Sequence, residues 1–109
     1  MKHVNVRILA ASAALAFSLA LSIPAHAQGA ETTYKGKCAA CHGADGTAAT
    51  PMGRAKKIVS FKDPSMIKLT DEQLFASTKN GKGTMPAYAG KLTDPQITDI
   101  VAYMRTLQK

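Results

Sequence analysis

The chain has 109 residues, with 14 Lys and Arg against 7 Asp and Glu, three His, two Cys, no Trp and 46% hydrophobic residues. That length holds one small domain and excludes a two-domain enzyme. The formal net charge of +7 does not by itself make a nucleic-acid binder, and nothing else in the sequence supports one.

The first predicted element is an export signal. Met1 to Arg7 carries two positive charges and no acid, Ile8 to Ile23 is an uncharged run of 16 residues rich in Ala and Leu, and Pro24-Ala25-His26-Ala27 supplies a helix breaker and an Ala-x-Ala site. This is the three-part layout of a secretory signal peptide, predicted to span residues 1–27 with cleavage after Ala27. A membrane anchor would want about 20 apolar residues, and the run is shorter. The mature chain, 28–109, loses Lys2 and Arg7, so its net charge falls from +7 to +5. It keeps 32 hydrophobic residues, eleven of them Ala. So small a chain buries too little surface for a comfortable core and needs a staple.

The next element is a helix predicted over Ala30 to Cys41, with Ala30, Tyr34, Cys38 and Cys41 along one stripe. Two cysteines three apart close too small a loop for a disulfide to constrain the chain much. His3 and His26 leave with the signal, so His42 is the one mature histidine, directly after Cys41. The run Cys38-Ala39-Ala40-Cys41-His42 is the C-x-x-C-H pattern of covalent haem attachment. On a helix, positions i, i+3 and i+4 share a face, so both thiols and the imidazole point the same way. Two thioether bonds to the ring can then form while His42 reaches the iron from the same side. A thioredoxin-like dithiol would need a βαβ frame, which the flanking sequence lacks. A zinc site would need four ligands, and two Cys and one His do not supply them. A covalently attached haem would be the missing staple.

Gly43 to Leu69 is predicted as loop wrapped over a flat cofactor, with Met52, Ile58, Val59, Phe61 and Ile67 inward and a short helix around Arg54 to Val59. Thr70-Asp71-Glu72-Gln73 is a capping box that opens a helix through Leu74, Phe75 and Thr78, and Gly81 stands where a left-handed residue would end it. A second box, Thr93-Asp94-Pro95-Gln96, opens the last helix, and Pro95 in its first turn loses no intrahelical bond. Ile97, Ile100, Val101, Met104 and Leu107 then make one apolar face. Three helices and connecting loops result, with no strand: an all-α fold.

One histidine excludes bis-histidine ligation of the iron, which leaves Met, Lys, water or nothing as the sixth ligand. Met104 lies on the apolar face of the last helix, where it reads as core. Met66 sits just before Leu69 and the capping box, and Met52 follows His42 too closely to cross to the opposite ring face. Met85 remains, between Gly81/Gly83, which let the backbone approach closely, and Pro86, which fixes the loop presenting the sulfur.

Three blocks of sequence resemble the monohaem class I c-type cytochromes of bacterial periplasms and organelles: Tyr34-Lys35-Gly36-Lys37 leading into Cys38-Ala39-Ala40-Cys41-His42-Gly43, then Gly81-Lys82-Gly83-Thr84-Met85-Pro86-Ala87-Tyr88, then Leu92 to Leu107. The resemblance spans 28–109 and implies the cytochrome c fold, with three main helices and long loops around one covalently attached haem c and its iron. It implies that Cys38 and Cys41 bind the haem, that His42 is one axial ligand and that Met85, in its Met-Pro context, is the other. It also implies that the Pro51 carbonyl accepts the second ring hydrogen of His42, although Met52-Gly53-Arg54 follows in place of the family's usual leucine. Tyr34 and Ala30 resemble the residues by which the first helix crosses the last, with Ile100 and Tyr103 as partners.

Met/His ligation leaves no vacant position for a substrate and raises the reduction potential. No Ser/His/Asp set or paired carboxylates are available for acid–base work. The expected function is therefore not enzymatic: a periplasmic, monomeric one-electron carrier. Lys35, Lys37, Lys79, Lys82 and Lys91 group near the haem motif and the Met85 loop, with Lys56 and Lys57 between, and would steer encounter with an acidic redox partner. The alternatives are a haem c subunit of a larger dehydrogenase or reductase, and a gas-binding or peroxidase-like protein with an open iron.

Overall fold

The computed structural model of the protein describes residues 25–109. They form α1 (Ala25–Lys37), α2 (Ala39–His42), α3 (Pro51–Ala55), α4 (Pro64–Ile67), α5 (Asp71–Asn80) and α6 (Asp94–Thr106). Among the described residues there is no strand, only isolated bridges pairing Lys82 with Met85 and Ala89 with Leu92. The predicted export signal lies outside the described residues except for its last three, and α1 runs across the predicted cleavage point after Ala27. The three predicted helices are present as α1 with α2, α5 and α6.

Both capping boxes form as the sequence predicts. The Thr70 hydroxyl accepts from the Gln73 amide at 3.2 Å while the Gln73 side chain accepts from the Thr70 amide at 2.9 Å. Thr93 and Gln96 repeat this at 3.3 and 2.9 Å. Each box satisfies two amides that the first turn leaves orphaned, which stabilises a helix by about 1 kcal/mol.

The core is the crossing of α1 over α6, closed by α5. Ala30, Tyr34, Phe61, Leu74, Ile100, Val101 and Met104 form one buried cluster. Ala30 lets the two helix backbones approach, and the Tyr34 ring lies 5.2 Å from that of Tyr103, tilted by 55°. The contact expected of Ala30 and Tyr34 with Ile100 and Tyr103 is thus made. Ile97 is fully buried, which alone contributes about 1.5–3 kcal/mol. Arg105 near the end of α6 donates to Asp71 Oδ1 at 2.9 Å and to the Leu69 carbonyl at 2.6 Å, fastening α6 to the start of α5.

The 43–69 segment departs from expectation in three ways. Its first short helix is α3, earlier than the predicted Arg54 to Val59, because Thr50 caps it by accepting from the Gly53 amide at 2.8 Å and Pro51 takes the first turn. The same grammar, an Asp63 cap followed by Pro64, makes α4, which the sequence reading did not include. Of the side chains expected inward, Phe61 is buried, whereas Met52, Val59 and Ile67 are each about half exposed. Protein atoms alone do not cover them.

The end of α5 also differs. Gly81 has φ 77° and ψ 162°, an extended conformation available essentially to glycine alone, instead of the expected left-handed helical one. The chain turns there straight into the Met85 loop. A Cβ on Gly81 would lie 2.8 Å from the Met85 carbonyl and 3.0 Å from the Ala87 amide.

Candidate functional site

α1 does not run unbroken into α2. Cys38 has φ −117° and ψ −35° and joins the two, yet helical hydrogen bonds continue across it: the Cys38 amide donates to the Tyr34 carbonyl at 2.8 Å and the His42 amide to the Cys38 carbonyl at 2.9 Å. Cys38, Cys41 and His42 therefore share one turn, as their spacing requires. Both cysteines are half-buried free thiols. Burial pushes the Cys38 thiol up to about 11, with neighbouring Cys41 adding to it and Lys37 opposing.

Four contacts fix the backbone around His42. The Tyr34 hydroxyl, buried, donates to the Gly43 carbonyl at 2.7 Å. The Ala48 amide donates to the His42 carbonyl at 2.7 Å, which holds Ala48 at φ 58°, a conformation that L side chains rarely adopt. The Thr50 hydroxyl donates to the Cys41 carbonyl at 2.9 Å. Gly53 brings α3 against α2 so closely that a Cβ there would collide with the Ala48 carbonyl and lie 2.7 Å from that of Cys41.

The imidazole itself stacks on Phe61, with ring centroids 4.7 Å apart and planes 25° from parallel. Burial holds its pKa below the ordinary histidine range, so the ring is neutral at pH 7 and keeps a lone pair to donate. Its Nδ1 is buried without a hydrogen-bond partner. The Pro51 carbonyl, expected to accept the second ring hydrogen, is not a partner of this nitrogen.

Met85 sits half-buried in a tight turn closed on Lys82, whose carbonyl accepts from the Met85 amide at 3.0 Å and whose amide donates to the Met85 carbonyl at 3.2 Å. Three residues on, the Tyr88 amide donates to the Thr78 carbonyl at 3.1 Å, which holds the loop to α5. The Tyr88 hydroxyl donates to the Lys37 carbonyl at 3.1 Å, across 51 residues of sequence. Burial, with Cys38 and Cys41 nearby, raises the Tyr88 phenol, so it remains a donor. The structure thus brings the Met85 loop to the residue preceding Cys38. Met104 is core, as expected, and Met66 packs against the same cluster.

The donor set fits a covalently held haem: two free thiols on one turn, a neutral imidazole directly after the second of them, and three large apolar side chains left half exposed in the 43–69 segment. Thr50, Gly53 and the stacking role of Phe61 were not singled out from the sequence. A Thr-Pro pair signals the Thr50 cap, but no local signal places Gly53 against Cys41.

Sequence comparison matches residues 25–104 to the family described as cytochrome c oxidase, cbb3-type, subunit III. The chain is 31% identical to cytochrome c6 of Thermosynechococcus vestitus over 105 residues, 95% of this chain and 91% of that protein. Among solved structures it is similar to the c-type cytochrome KustC0563, with a TM-score of 0.67 and 27% identity over 73% of this chain and 98% of the other. It is also similar to cytochrome c6 of the diatom Phaeodactylum tricornutum, with a TM-score of 0.57 and 25% identity over 75% and 93%.

Proposed function

The chain belongs to the monohaem class I c-type cytochromes, and on that premise we propose that it is an exported one-electron carrier in which Cys38 and Cys41 attach the haem and His42 and Met85 ligate the iron. Membership gives the fold, the single covalently bound haem c and a role in electron transfer rather than enzymatic catalysis. The observation that carries the residue assignment is the Tyr88–Lys37 hydrogen bond, which joins the Met85 loop to the end of α1, directly before the turn bearing the other three groups.

When bound, the haem supplies a one-electron iron couple. Cys38 and Cys41 would hold the ring through thioethers, and the neutral imidazole of His42 would offer a lone pair, its ring stacked on Phe61 and its backbone held by the bonds to the flanking residues. Met85 offers a soft thioether from a turn closed on Lys82, and Met/His ligation raises the potential. Met52, Val59 and Ile67, each about half exposed, would be covered by a ring lying over the 43–69 segment, and the exclusion of water there would raise the potential further. Ligands held this firmly need little rearrangement when the electron arrives or leaves.

The 1–27 signal with cleavage after Ala27 supports a periplasmic location for the mature 28–109 monomer. No helix among the described residues is long and apolar enough to cross a membrane. Lys37, Lys82 and Lys91 pair with no carboxylate among the described residues, which supports docking on an acidic partner. A second reading, a haem c subunit of a larger dehydrogenase or reductase, is favoured by the match to subunit III of a cbb3-type oxidase. Gel filtration of extracts from the expressing cell separates the two readings.

Optical spectra of the purified mature protein test the proposal. Haem retained after denaturation, a Met-to-iron charge-transfer band when oxidised and no carbon monoxide binding when reduced at neutral pH are expected. Protein without covalent haem sinks the attachment, and carbon monoxide binding favours an open iron instead.

A further inference from the structure

We propose that Tyr88 is the positioning residue of the Met85 loop: its hydroxyl, bonded to the Lys37 carbonyl at 3.1 Å, holds the Met85 sulfur in register with the turn that carries Cys38, Cys41 and His42. This rests on Met85 being the sixth ligand. Lys37 is the last residue of α1, where carbonyls have lost their intrahelical donors, so the Tyr88 hydroxyl satisfies a group that the helix cannot. The other polar contacts of the loop are local or run to α5: the Lys82–Met85 pair, and the Tyr88 and Ala89 amides to the Thr78 and Lys79 carbonyls. They fix the shape of the loop and its attachment to α5. They do not fix its distance from α1 and α2, and the Tyr88 hydroxyl does. Lys91 lies with its ammonium 5.8 Å from the Tyr88 ring centre and covers the aromatic face.

The test is competition for the iron in the oxidised holoprotein, with imidazole as the displacing ligand and the Met-to-iron charge-transfer band as the signal. Tyr88→Phe keeps the ring and removes the bond. It is expected to keep the band and to raise the apparent imidazole affinity roughly 2- to 10-fold, the equivalent of one net hydrogen bond. Thr70→Ala, which removes a cap at the far end of α5, is the control for general destabilisation and is expected to leave that affinity unchanged. Equal shifts in the two variants, or none in Tyr88→Phe, overturn the inference. Met85→Ala tests the underlying assignment separately: a band that survives it shows that Met85 is not the ligand. A band lost in Met85→Ala together with an unshifted Tyr88→Phe removes only the role of Tyr88.

Discussion

The Tyr34 hydroxyl donates a 2.7 Å hydrogen bond to the Gly43 carbonyl, so a side chain buried at the α1–α6 crossing holds the residue that follows His42. One residue thereby couples the helix core to the backbone of the haem motif. The Gly43 carbonyl also accepts from the Gly46 amide at 3.1 Å. Tyr34→Phe therefore leaves it one partner and is expected to destabilise the holoprotein by about 1 kcal/mol, read as a lower denaturant midpoint. An unchanged midpoint removes the coupling.

Gly53→Ala inserts a methyl group between backbone carbonyls of Ala48 and Cys41, which cannot swing away as side chains do. The expected cost is about 1–3 kcal/mol or more. The yield of holoprotein should fall with it, because α3 then no longer seats against the attachment turn. Circular dichroism melts and haem content per polypeptide check this.

The lysines near the site are not equivalent. Lys35 lies 2.6 Å from Glu31 and Lys79 lies 3.0 Å from Asp94, so their charges are partly spent within the molecule. Lys82 has no such partner among the described residues. Oxidation of the reduced protein by the anionic hexacyanoferrate(III), followed by stopped flow at low ionic strength, should slow about twofold in Lys82→Gln and less in Lys35→Gln. The difference should vanish in high salt.

Asp63 caps α4, accepting from the Ser65 hydroxyl at 2.6 Å and the Ser65 amide at 2.9 Å. The Ser65 hydroxyl, and then its amide, hold the Asp63 carboxyl below its ordinary value of 3.8. The unfolded chain thus takes up this proton first as pH falls. The stabilisation is complete above 3.8 and is lost as pH drops through the depressed folded value. Asp63→Asn caps nearly as well but does not titrate. Its acid limb, measured as denaturant midpoint against pH, should be flatter than that of the parent, with the two differing only below about pH 4.

Much of this molecule is written locally. The C-x-x-C-H spacing puts Cys38, Cys41 and His42 on one turn, and the Thr70 and Thr93 boxes open α5 and α6, because each depends on residues within four positions of one another. The same local grammar at Thr50-Pro51 and Asp63-Pro64 was legible in principle, yet the scatter of Gly and Pro across 43–69 masked it and read as loop. Periodicity also identified Ile97, Ile100, Val101 and Met104 as core, since a helix face follows from the sequence once the helix exists.

Contacts across the chain were decided only by the tertiary structure. No local pattern sets the Phe61 ring on His42, Gly53 against Cys41, or the Tyr88 hydroxyl on the Lys37 carbonyl 51 residues away. The Pro51 carbonyl, expected on His42, does not partner its orphaned Nδ1. The sequence by itself put Cys38, Cys41 and His42, the residues proposed to attach and ligate the haem, on one turn through short-range spacing. The placement of that turn against the rest of the chain depends on loop closure and packing among segments far apart in the chain, where the entropy of closure and the fit of side chains, not spacing, select the arrangement.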